Sequence, residues 1–121
     1  EKSEGLILPG GMPGAKNLMI YDGLRKALIG HDKQGKLIAA ICAAPMILGR
    51  TGLLAGRRST CYPGFEQYLE NAEISLENVV EDGNIITGKG PAAAVDFAFA
   101  IASRFVEADI IERTKSNMLF Q

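Results

Sequence analysis

The stretch that most constrains this chain is Lys36-Leu37-Ile38-Ala39-Ala40-Ile41-Cys42-Ala43-Ala44-Pro45. The apolar run 37–41 is short, continuous and unalternating, which suits a strand buried on both faces of a parallel sheet. Pro45, followed by Met46, Ile47 and Leu48, suits the first turn of a helix. Cys42 therefore falls where a strand turns sharply into a helix, flanked by side chains small enough for close backbone packing. That is the layout of a nucleophile elbow, although the Gly-x-Ser-x-Gly pattern is absent.

Two readings of Cys42 follow. A helix N-terminus offers unpaired N–H groups and partial positive charge, so a thiol placed there is expected to ionise below the ordinary value of roughly 8.5. The alternative is a small buried hydrophobe, the commonest role of a free cysteine. The local pattern leaves both open, and a second motif has to decide.

Composition narrows the classes. With 121 residues and 47% hydrophobic content, the chain is expected to form one domain over residues 1–121. A formal net charge of −1 without a basic cluster gives no footprint for nucleic acid. No apolar run is long enough for a membrane span. Two cysteines do not make a disulfide framework, so a reducing, cytoplasmic location is the default expectation. With one histidine and no C-x-x-C spacing, no metal and no cofactor are expected.

In chain order, Leu6-Ile7-Leu8 reads as a short apolar strand broken by Pro9-Gly10-Gly11. A Gly-Gly turn at a strand's C-terminal end lets backbone amides approach a ligand, although an ordinary connecting loop has the same look. Residues 22–34 read as a helix with Leu24, Ala27 and Leu28 as its buried stripe. His31, in a hydrophilic run, is expected at the surface. After the elbow a helix is expected over 43–49 with Gly52 near its C-cap, then a strand carrying Thr60, Cys61 and Tyr62. Residues 65–69 suit a short helix. The runs 78–81 and 84–87 suit a β-hairpin turning on Asp82-Gly83. Gly88-Lys89-Gly90-Pro91 then leads into an apolar helix over 92–106, and 108–118 suits a terminal amphipathic helix. Strands alternating with helices around an apolar core argue for an α/β sandwich with a mostly parallel sheet.

Four motifs in this order, Leu8-Pro9-Gly10-Gly11, Ala40-Ile41-Cys42-Ala43-Ala44-Pro45, Thr60-Cys61-Tyr62-Pro63 and Thr87-Gly88-Lys89-Gly90-Pro91, resemble the DJ-1/ThiJ/PfpI superfamily, in particular its DJ-1/ThiJ branch. The resemblance implies a flavodoxin-like three-layer α/β sandwich, usually homodimeric, with Cys42 as the nucleophile. It implies that Gly10, Gly11 and Ala43 lie at the oxyanion-binding site, and that Tyr62, Gly90 and Pro91 line the pocket. Two departures stand out. Relatives often carry a histidine where this chain has Tyr62, and a phenol is a hydrogen-bond donor but a poor base at neutral pH. The family's cysteine also contacts a glutamate from an early strand, in a part of the fold expected to precede Glu1 and to amount to about sixty residues. That missing segment of the same domain is an expected partner.

The function implied by the resemblance is cofactor-free conversion of small α-oxoaldehydes such as methylglyoxal to hydroxy acids, a glyoxalase III-like activity, or related deglycation. The alternative is a redox-sensing or chaperone-like stress protein whose Cys42 oxidises to a sulfinic acid. A PfpI-type peptidase would carry a histidine directly after its cysteine, where this chain has Ala43. A class I glutamine amidotransferase needs a histidine downstream, and none follows Cys42. No thiazole- or phosphate-binding motif supports a part in making thiamine precursors.

Overall fold

The computed structural model describes residues 5–8, 22–106, 110 and 113. Its central sheet has the order β1-β2-β6-β5, built from β1 (Gly5–Leu8), β2 (Leu37–Ile41), β5 (Val79–Asp82) and β6 (Ile85–Gly88). β1, β2 and β6 run parallel, and β5 is antiparallel to β6. A separate two-stranded ladder joins β3 (Arg58–Ser59) to β4 (Glu73–Ile74). Three α-helices complete the described elements: α1 (Asp22–Lys33), α2 (Pro45–Arg50) and α3 (Ala94–Ala102).

The unbroken apolar run of β2 is explained by cover on both faces. Ile38 and Ala40 pack with Leu28 of α1, Met46, Ile47 and Leu48 of α2, and Ile85. Leu37 and Ala39 point the other way, towards Phe97 of α3 and Ile86. The result is a helix–sheet–helix sandwich in which β2 is the middle of the core.

Several expectations shift. Helix α2 starts at Pro45 rather than Ala43, because residues 42–44 form the turn that leaves the strand. Thr60, Cys61 and Tyr62 lie in a loop, since β3 ends at Ser59. The strand β4 has no periodic signal in its two residues. The segment 65–69 contributes a single 3-10 turn, Glu66–Tyr68. The hairpin pairs Asp82 with Ile85, so its loop is Gly83-Asn84 rather than Asp82-Gly83, with a positive φ of 62° at Gly83. The apolar helix is shorter than 92–106: a 3-10 turn, Pro91–Ala93, precedes α3, and the segment 103–106 is no longer helical. The amphipathic segment 108–118 lies outside the described residues apart from Ile110 and Arg113.

His31 is also corrected. It is buried, 2% exposed, and its Nδ1–H donates to the Ala27 carbonyl at 2.9 Å. Among the described residues no helix is long and apolar enough to cross a membrane.

Candidate functional site

Cys42 follows the last residue of β2 and has φ of +63°, in the left-handed region. Asn71 is the other non-glycine residue with positive φ among those described, at 62°. Asparagine tolerates that region through its short polar side chain, whereas cysteine has no such excuse. Strain of this kind costs on the order of 1–3 kcal/mol and persists only where the surroundings over-determine it.

Those surroundings are visible on both sides of the residue. The Cys42 N–H donates to the Gly88 carbonyl at the end of β6 (3.0 Å), and the Cys42 carbonyl accepts from the Tyr62 N–H (2.7 Å). Behind it, Ala44 N–H reaches back to the Ile41 carbonyl at 3.1 Å, closing the turn. Ala43 and Ala44 are 4% and 0% exposed, so the turn is pressed against the core and larger side chains would not fit. Among the described residues the Ala43 N–H donates no hydrogen bond, leaving one unspent donor directly beside the cysteine.

Tyr62 and Gly90 are brought together. A Cβ on Gly90 would stand 3.4 Å from Cδ1 of the Tyr62 ring, so the glycine provides the flat surface against which the ring rests. Phe65 meets the same ring edge-on, with centroids 6.4 Å apart. Tyr62 is 47% exposed, and Pro91 is exposed as well. Of the residues assigned by resemblance, Cys42, Ala43, Tyr62, Gly90 and Pro91 are thus placed. Gly10 and Gly11 lie outside the described residues.

The electrostatics differ from expectation. Burial pushes the Cys42 thiol up from its ordinary value instead of the helix drawing it down. The physical cause is desolvation, which disfavours the charged thiolate. Cys61 is 3% exposed, and its thiol is pushed up to about 12 by burial, with the Glu66 carboxylate adding to the effect and the Phe65 amide opposing it. Both cysteines are free.

Sequence reading missed Thr87 and Thr60. The Thr60 N–H donates to the buried Thr87 hydroxyl at 3.0 Å, tying the Tyr62 loop to β6. A threonine inside the apolar strand Ile85–Gly88 is the signal that could have pointed there.

The profile of the DJ-1/PfpI family matches residues 1–104. Drosophila melanogaster DJ-1alpha is 37% identical over 117 residues, which is 95% of this chain and 54% of that protein. The Caenorhabditis elegans glutathione-independent glyoxalase DJR-1.2 is 37% identical over 97 residues, 79% of this chain and 52% of its own. An isonitrile hydratase of Pseudomonas putida is 31% identical over 106 residues, covering 86% and 46%. The crystal structure of Drosophila melanogaster DJ-1beta superposes with a TM-score of 0.94 at 32% identity, over 100% of this chain and 66% of that one. The chain thus spans about half the length of these curated relatives. The strained cysteine at the strand end, the flavodoxin-like sheet around it and these likenesses agree that the chain belongs to the DJ-1/PfpI family.

Proposed function

We propose that the protein is a cysteine-dependent enzyme that converts small α-oxoaldehydes to hydroxy acids without a cofactor, with Cys42 as the nucleophile. The observation that carries this reading is the Cys42–Ala43 pair: a cysteine held at positive φ next to a backbone amide that donates to no acceptor among the described residues. Such a pair suits addition of sulfur to a carbonyl carbon while an adjacent N–H receives the charge that develops on oxygen. The glyoxalase among the relatives lends support; the isonitrile hydratase shows that membership by itself does not select the reaction.

In this reading the Cys42 thiolate adds to the aldehyde carbon, giving a hemithioacetal whose oxygen faces the Ala43 amide. The hydrogen on that carbon then moves to the neighbouring carbonyl carbon by way of a base, leaving a thioester that water hydrolyses to the hydroxy acid and free thiol. Oxidation of one carbon is balanced by reduction of its neighbour, so no external electron acceptor is needed. We assign the base to a carboxylate outside the described residues, because Tyr62 offers a donor and not a base. We assign the exposed phenol of Tyr62, whose backbone N–H holds the Cys42 carbonyl, the role of hydrogen-bonding the substrate's second carbonyl.

The test is consumption of methylglyoxal by the native protein without glutathione. Cys42→Ser should abolish it, because a neutral serine hydroxyl is a far weaker nucleophile than a cysteine sulfur. Tyr62→Phe should cost less than about tenfold, the worth of one hydrogen bond of roughly 0.5–1.5 kcal/mol. Undiminished turnover in Cys42→Ser would sink the mechanism. Negligible turnover in the native protein, together with uptake of two oxygens by Cys42 in mild peroxide, would favour the sensor instead.

A further inference from the structure

Thr87 is a polar residue where the pattern asks for an apolar one. It lies on β6, an inner strand, in register with Ala40 on one side and Val80 on the other, and is 1% exposed. A valine would have nearly the same shape, so the hydroxyl needs a reason. Its oxygen accepts the Thr60 N–H at 3.0 Å. Thr60 is the first residue after β3 ends, itself only 2% exposed, so its amide has left the ladder and would otherwise be buried without a partner. The hydroxyl of β6 thus substitutes for a strand carbonyl and pulls the loop towards the central sheet.

Two residues further along that loop, the Tyr62 N–H donates to the Cys42 carbonyl at 2.7 Å. The neighbour of Thr87 on the strand, Gly88, accepts the Cys42 N–H at 3.0 Å. Adjacent residues of β6 therefore reach both ends of the strained Cys42 residue, Gly88 directly and Thr87 by way of Thr60 and Tyr62. Remove the second hold and the left-handed conformation loses one of the hydrogen bonds that maintain it.

We propose that Thr87 is a positioning residue for Cys42, its hydroxyl fixing the loop from which the Tyr62 amide holds the cysteine in its left-handed conformation. The inference rests on Cys42 being the reactive residue, not on the identity of its substrate. It is tested by the pH profile of iodoacetamide alkylation at Cys42, located by mass spectrometry, in the native protein and in Thr87→Val and Thr87→Ser. Valine keeps the shape and loses the acceptor, and serine keeps the acceptor and loses a methyl group. Thr87→Val should slow Cys42 alkylation at neutral pH by about tenfold and displace its profile, whereas Thr87→Ser should stay within about twofold. A purely structural role would lower the melting temperature of both variants and leave the Cys42 profile of each unchanged, and that result would overturn the proposal. Hydrogen exchange in the unmutated protein gives a check that does not depend on a variant folding. The Tyr62 and Thr60 amides should both be protected like core amides, and exchange of Tyr62 at the rate of an open loop would also overturn it. If native Cys42 proves no more reactive than Cys61, the enzymatic reading itself fails. A reactive Cys42 indifferent to Thr87→Val removes only the positioning role.

Discussion

At the scale of residues, the two cysteines are separated by environment. Cys42 is half-buried at the end of β2, while Cys61 is sealed in the core with Ala43, Ala44 and Met46. Alkylation should therefore select Cys42, even though burial raises both thiols. Because the Cys42 thiol lies above its ordinary value, its rate should still climb above pH 8.5 rather than level off below it. Equal labelling of the two cysteines, or a plateau in the acid range, would contradict this. Cys61 carries a second consequence, for stability. Its folded thiol is pushed up to about 12, above the value of roughly 8.5 in an unfolded chain. The folded state thus binds this proton more tightly, a stabilisation complete below pH 8.5 and lost as pH rises towards 12. The unfolding free energy from denaturant titration should fall through that window by at most about 1.4 kcal/mol per pH unit from this one group. Cys61→Ala should flatten the slope while lowering stability overall, and an unchanged slope would show that another group is responsible.

At the scale of elements, two helical glycines should respond in opposite ways to alanine. Gly30 lies inside α1 with nothing within 4 Å of an added Cβ, so Gly30→Ala should stabilise by roughly 0.5–1 kcal/mol through helix propensity. Gly49 lies inside α2, where an added Cβ would collide with the Tyr68 carbonyl and stand 2.7 Å from the Leu69 Cα. Backbone cannot swing aside as a side-chain tip can, so overpacking outweighs propensity and Gly49→Ala should destabilise by about 1–3 kcal/mol. Urea unfolding of both variants checks the pair, and a shift of the same sign in both would refute the packing account. The same elements show what sequence could convey. Residues 37–41 were readable as a buried strand because cover on both faces leaves no polar alternation to confuse the pattern, and Cys42 was readable as its end. His31 was not, because a hydrophilic neighbourhood along the chain says nothing of a ring that turns back to the Ala27 carbonyl. The loop at Thr60–Cys61–Tyr62 reads as a strand by residue type, yet its amides are taken by the Thr87 hydroxyl and the Cys42 carbonyl instead of a ladder. Those partners are 27 and 20 positions away, beyond any local window. Part of the candidate site was therefore legible as motif while its supports were not.

At the scale of the whole molecule, the sandwich is unevenly covered. Ile7 of β1 is in register with Ala39, which is buried on the α3 side, yet Ile7 is 56% exposed. Among the described residues α3 lies mainly over β6, β5 and β2. Helix α3 is itself apolar, AVDFAFAIA, with Phe97 alone fully buried and Val95 39% exposed; beyond it Phe105 and Val106 are 53% and 42% exposed. Exposed apolar side chains on β1 and along α3 suit a contact more than a solvent face. The relatives offer an occupant in kind, since the superposed Drosophila structure extends beyond the 66% of its length that this chain covers. We propose that a further segment of this kind would cover Ile7 and the flank of α3. Among the described residues β1 is an outer strand, whose edge would otherwise be open to edge-to-edge association. Residues 1–121 expressed alone should therefore associate or unfold without a sharp transition, and a longer form of the protein should unfold cooperatively. Sedimentation and urea unfolding of the two side by side make the comparison. Ile7→Lys would place a charge on the bare face. In the isolated span it should reduce association, whereas in the longer form it should cost roughly 2–5 kcal/mol, as expected for a charge forced into a packed contact. A monomeric, cooperative transition for residues 1–121, with Ile7→Lys neutral in both forms, would show that this face is made for water.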